Sequence, residues 1–124
     1  MHERNRKKLG QQGEELAARY LQAKNYRILE RNYRRARGEI DIVAQQDDTL
    51  VFVEVKTARS DSFGPPAAWV DAKKQAQLGQ VALHYLQENE IENMDCRFDV
   101  VAIHARSGKW EIQHIENAFW LAAP

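Results

Sequence analysis

The sequence predicts a single α/β domain: a mixed central β-sheet flanked by helices, in the order α-β-β-β-α-β-β. Three observations lead there. The 124 residues are 44% hydrophobic and 29% charged, the balance of an ordinary globular domain with enough material for one core. Two segments, 9–24 and 67–87, repeat apolar residues at helical spacing, whereas five shorter ones are rich in β-branched or alternating residues. The second helical segment separates three strands from two more, and a crossover of that length can return a strand parallel to an earlier one.

The first helix is read from Leu9, Gly13, Leu16, Ala17, Tyr20 and Leu21, with Asn25 as its stop. Tyr26–Tyr33 alternates and forms a first strand. Gly38–Ala44 and Leu50–Lys56 are the most apolar strands, joined by a turn within Gln45-Gln46-Asp47-Asp48. Residues 57–66 hold Gly64, Pro65 and Pro66 and form a loop, with Pro66 placed to open the next helix. That helix is expected over 67–87, burying a stripe of Trp69, Ala72, Ala76, Gly79, Leu83 and Leu86. After an acidic connector, Glu88–Asp95, come strands Arg97–His104 and Trp110–Ile115 around Ser107-Gly108.

Several classes are excluded. A lone cysteine, Cys96, forms no internal disulfide. The basic opening is followed by no apolar stretch, so it is not a secretory signal, and no apolar run reaches membrane-spanning length. A cytoplasmic protein is expected, with residues 1–8 as a flexible basic arm.

The formal net charge is zero, but it is unevenly placed. Residues 1–37 hold eleven Lys and Arg against four Asp and Glu, a net of +7 that leaves −7 for the rest. Such asymmetry points to contact with nucleic acid or another anionic surface.

The chemistry rests on charges set inside apolar strands. Asp41 interrupts Gly38-Glu39-Ile40-Asp41-Ile42-Val43, and Glu54 and Lys56 interrupt Leu50–Lys56. A strand period of two puts Glu54 and Lys56 on one face with Phe52, and Val51, Val53 and Val55 on the other. If the two strands form a hairpin, Asp41 comes close to Glu54. Paired carboxylates repel and resist desolvation unless a divalent cation accepts both. Mg²⁺ suits such a pair because it keeps positions for water and phosphate oxygens. By itself the pattern fits a solvated strand face as well; the apolar setting and the basic segment upstream favour catalysis. On the first helix, at 100° per residue, Glu14 lies at the edge of the apolar face and Glu15 points nearly opposite. Glu14 is therefore the helix acid able to reach the sheet, or else it pairs with a nearby Arg or Lys. The four histidines lack metal-ligand spacing, and a structural or solvated role is expected for each.

These motifs, Gly10-Gln11-Gln12-Gly13-Glu14-Glu15-Leu16-Ala17, Gly38–Val43 and Phe52-Val53-Glu54-Val55-Lys56, resemble those of the YraN-like family of small bacterial proteins. The likeness continues through Phe63-Gly64-Pro65-Pro66, Lys74-Gln75, Arg97-Phe98-Asp99-Val100-Val101 and Ile115-Glu116-Asn117-Ala118-Phe119. The resemblance implies a restriction-endonuclease-like core similar to Holliday-junction resolvases. It implies Asp41 and Glu54 as metal ligands, Lys56 as the active-site lysine and Glu14 as a further acid. Glu39 stands where the nuclease motif often has Pro beside its Asp, and Trp69 where a smaller residue is usual.

The function expected is a Mg²⁺- or Mn²⁺-dependent endonuclease acting on DNA, branched DNA among the candidates. Asp41, Glu54 and the Val55 carbonyl would hold the metal. Arg31, Tyr33, Arg34, Arg35, Arg37 and Lys74 are the candidate nucleic-acid contacts. A homodimer would suit a two-fold substrate. The competing expectation is a non-catalytic nucleic-acid-binding or assembly module on the same fold.

Overall fold

A computed structural model of the chain describes residues 3–35, 38–59, 69–106 and 108–119. Its elements follow the expected order: α1 (Glu3–Ala23), β1 (Arg27–Arg35), β2 (Gly38–Gln46), β3 (Thr49–Ala58), α2 (Ala72–Glu88), β4 (Asp95–Arg106) and β5 (Lys109–Ile115). The five strands form one sheet in the spatial order β1-β2-β3-β4-β5. Pairing is antiparallel except between β3 and β4, which run parallel because α2 carries the chain back across the sheet. The architecture is α/β and consistent with a small nuclease-like fold.

The sheet is buried on both faces at its centre, which explains the apolar composition of β2 and β3. On one face Ala17, Ala18 and Leu21 of α1 cover Ile42, Ala44, Val51, Val53, Val101 and Ile103. On the other, Leu78, Val81, Ala82 and Tyr85 of α2 cover Tyr33, Val43, Phe52, Val100 and Ala102. The strand β5 lies outside this cover and exposes Trp110 and Ile112.

Local chemistry fixes the joints. Asn25 takes a left-handed φ of 68°, and the amides of Asn25 and Tyr26 donate to the carbonyls of Gln22 and Leu21. This closes α1 in a Schellman motif at the residue expected to stop it. Glu90, at φ 52°, ends α2 in the same way. The pair Gln46↔Thr49 closes a two-residue turn at Asp47-Asp48, inside the segment expected to turn.

Two expectations are corrected. The first helix begins at Glu3, six residues earlier than the expected Leu9; Lys, Arg and Glu are good helix formers. The second helix starts at Ala72, not 67, because Asp71 caps it: the Asp71 side chain accepts from the Lys74 amide at 2.8 Å. Trp69 is buried, but from the bend before the helix. Its position therefore misled the phase of the stripe. The buried positions are Leu78, Val81, Ala82 and Tyr85, whereas Ala72, Ala76 and Leu83 are exposed. The Phe63–Pro66 motif lies outside the described residues.

Candidate active site

The acids meet where the hairpin of β2 and β3 opens. Its ladder runs from Gln46↔Thr49 to Ile42↔Val53; one step further it would bring Asp41 opposite Glu54. There the Val55 amide instead donates to the Asp41 carboxylate at 2.7 Å. A side chain thus replaces the backbone acceptor and the strands part. Alternation along β2 breaks at the same point. Ile40 and Val43, three residues apart, pack on the same side of the sheet, so Asp41 is re-aimed as at a bulge.

The expected faces of β3 are observed. Phe52 packs beneath α2, and Val51, Val53 and Val55 beneath α1. Glu54 accordingly meets α2, where Lys74 Nζ lies 3.5 Å from Glu54 Oε2. That oxygen is buried without a hydrogen bond, so a single long ion pair is its compensation. Lys56, two residues on, is partly exposed beside Ala102 of β4.

Electrostatics follow from this crowding. Burial, the hydrogen bond shared with Glu54 and the Glu54 charge push the Asp41 carboxyl up to about 9. The crowding therefore favours a proton held between the two carboxyls. Glu14 is also raised, first by burial and then by the charges of Glu39 and Glu54, against the opposing pull of Arg31 and Asn32. Gly13 makes this position possible: a Cβ there would collide with the Thr57 side chain. With no Cβ, α1 lies directly against β3 just past Lys56 and delivers Glu14 to the acids. Glu15 is exposed and paired with Arg19 and Arg31, as its helical phase requires.

Among the described residues, no three His, Cys, Asp or Glu side chains form a ready-made metal cage. The two strand acids nevertheless fit a hard divalent cation. Mg²⁺ uses one or two carboxylates and fills its remaining positions with water or phosphate. A buried Glu54 oxygen without a hydrogen bond, beside a second buried carboxyl, is the environment such a cation relieves.

The basic candidates are already engaged. Arg31 meets Glu15 at 2.9 Å, Arg34 meets Glu39 at 3.3 Å, and Arg35 forks onto Glu88 at 2.6 and 3.0 Å. Tyr33, expected as a stacking ring, is 2% exposed. It stands edge-on to Tyr85 in the core, with the Arg35 guanidinium 4.4 Å from its ring centre. Its ring therefore offers no open face to a base. Arg37 lies outside the described residues.

Two groups escaped the sequence reading. Asn32 reaches Glu14 and Glu39. Across the sheet, Asp99 is buried beside Arg97 at 2.9 and 3.1 Å, His114 Nε2 at 2.7 Å and the Asn117 amide at 3.0 Å. Burial alone would raise the Asp99 carboxyl, but the hydrogen bonds from His114, Arg97 and Asn117 outweigh it and hold it low. Tyr26 joins this network, accepting from Arg97 at 2.7 Å and donating to Glu116 at 3.1 Å. The available signal was the acid of Arg97-Phe98-Asp99, set in a strand as apolar as those of Asp41 and Glu54. Its partner His114 has a buried side chain, joined to Asp99 through Nε2 and to Tyr20 through Nδ1.

Fold and site together define a small α/β protein with an acid–acid–lysine constellation at an opened hairpin. The model of the family described as "Uncharacterised protein family UPF0102" matches residues 13–103, and the chain belongs to that family. It is 49% identical over 115 residues to a UPF0102 protein of Alkaliphilus oremlandii, covering 91% of this chain and 98% of the relative. It is 47% identical over 113 residues to one from Syntrophus aciditrophicus, covering 91% and 89%. A Geobacter metallireducens relative is 47% identical over 116 residues, covering 94% and 95%. Among the described residues no helix is long and apolar enough to cross a membrane.

Proposed function

We propose that this chain is a Mg²⁺- or Mn²⁺-dependent endonuclease that hydrolyses DNA phosphodiesters, with branched DNA as its candidate substrate. The observation that carries the reading is the Asp41–Glu54 pair, buried together with one Glu54 oxygen that has no hydrogen bond and only a long ion pair to Lys74. Two adjacent acids that one proton must reconcile are costly to a fold, and a cation turns that cost into binding. Asp41, Glu54 and the Val55 carbonyl would hold the ion. Bound there, it supplies Lewis-acid stabilisation of charge on the phosphate.

The remaining residues bind and orient. Lys56 projects from the same strand two residues beyond Glu54, where its ammonium holds the attacking water or a phosphate oxygen. Glu14 completes the acidic rim from α1. Arg31, Arg34 and Arg35 exchange their present carboxylate partners for phosphates, since exposed ion pairs are weak enough to be displaced; Lys74, paired with the buried Glu54, would turn to phosphate once Glu54 has a cation. Such binding weakens steeply with salt.

The test is a panel of linear, single-stranded and four-way-junction DNA with Mg²⁺ or Mn²⁺, using wild type, Asp41→Ala and Lys56→Ala. Metal-dependent cleavage lost in both variants is expected. Cleavage that survives either substitution overturns the reading. Salt-sensitive binding without cleavage by wild type supports a non-catalytic binding or assembly module instead. Sedimentation of the same preparation tests the proposed homodimer.

A further inference from the structure

Asn32 occupies an unusual place. Its neighbours Arg31 and Tyr33 pair with Ile42 and Ile40, so it stands opposite Asp41 in the sheet. Yet its φ is 54°, a left-handed conformation in the middle of a strand, which Asn and Gly adopt with least strain. The turn sends its amide toward the acids. With the nitrogen facing them, it lies 2.8 Å from Glu14 Oε1 and 2.8 Å from Glu39 Oε1. The opposite orientation would set oxygen against oxygen.

One amide nitrogen carries two hydrogens, so each carboxylate receives one. Glu14 comes from α1 and Glu39 from β2, and Asn32 on β1 ties the two elements together. The Glu39 position is fixed from the far side as well, by Arg34 at 3.3 Å. Among the described residues no basic group bonds Glu14: Arg31, whose charge acts on it, is itself bonded to Glu15.

From this geometry we infer that Asn32 is the positioning residue of the site: its amide ties Glu14 of α1 to Glu39, two residues before Asp41 on β2. The inference rests on the proposed metal site and assigns a role within it. Asn32 does not itself touch the acids of the strand pair; it acts through Glu14. Groups that orient the acids of a metal site typically change metal affinity 10–100-fold when removed.

The substitution Asn32→Gly separates backbone from amide, because Gly accepts the left-handed φ without strain. The probe is Mn²⁺ alone, titrated into full-length protein and followed by calorimetry and by the Mn²⁺ electron spin resonance signal. Asn32→Gly is expected to stay folded, bind Mn²⁺ about tenfold more weakly and give a broadened bound-ion signal. Affinity and signal equal to wild type overturn the inference and leave the metal site intact. No Mn²⁺ uptake by wild type overturns the metal site itself.

A metal-free readout decides the inference in that second case. If Asn32 acts through Glu14, the urea midpoints of Asn32→Gly and Glu14→Gln are not additive, and the double variant resembles the more affected single one. Strict additivity overturns the assignment. Asn32→Ala, which loses both amide and backbone tolerance, is less stable than Asn32→Gly; the reverse order overturns the left-handed requirement on which the aim of the amide depends.

Discussion

Replacing Asp99 with Asn is the sharpest probe of what holds the sheet's far edge. The substitution preserves volume and removes one charge. The Asp99 side chain is 0% exposed, the His114 side chain 3% and Arg97 19%. Removing one member of a buried pair costs about 3–5 kcal/mol, mostly because the partner charge is left uncompensated. Arg97 keeps some solvent and has Glu116 at 3.8 Å, so the lower end applies, about 3 kcal/mol. At ~2.1 cal/mol/K per residue, a chain of this length has an unfolding entropy of about 0.26 kcal/mol/K near its Tm, so that loss lowers Tm by about 12 °C. Urea unfolding followed by circular dichroism measures it directly, with an unchanged slope showing that the unfolded state is the same. The effect also has a pH signature. Because the folded carboxyl is held below its usual value, its contribution is complete above pH ~4 and fades as the pH falls through the folded value. The gap between wild type and variant therefore narrows in acid. A loss under about 1 kcal/mol at pH 7, or a gap that widens on acidification, refutes the reasoning.

Two further outcomes follow from the acid pair and its approach. In metal-free buffer, wild type loses stability as pH rises from about 4 to about 9, because the native Asp41 carboxyl keeps a proton that the unfolded chain releases; the slope is at most about 1.4 kcal/mol per pH unit, and Asp41→Asn, read by urea midpoints across that range, should abolish it. Gly13→Ala drives a methyl into Thr57 and should cost about 1–3 kcal/mol in the same assay, while Thr57→Ala in the Gly13→Ala background restores part of it.

Much of this fold was legible because local pattern and tertiary demand agree. The α1 stripe, the Asn25 stop and the apolar β2 and β3 strands all follow from side chains whose neighbours in sequence are also their neighbours in function. Asp41 and Glu54 could be paired for the same reason: a two-residue turn fixes a hairpin's register. The phase of α2 was not legible, because Trp69 is buried by a bend and reads like a helix position. Asn32 was missed because a positive φ inside a strand leaves no periodic trace. The Asp99 network was missed because it joins β1's approach, β4 and β5, whose register depends on a parallel crossover that no local rule specifies.

The openness of the sheet has a consequence for the protein as a solute. Among the described residues its two rims are β1 and β5, and no further strand pairs with either, so each is backbone that another chain can extend. The rim at β1 is guarded by Arg27, Arg31, Arg34 and Arg35 and by the irregular register between Ile28 and Glu30. The rim at β5 is regular along its pairing with β4 and shows Trp110 and Ile112 on one face. Self-association at high concentration should begin there, strand against strand, on the side of the molecule away from the hairpin acids.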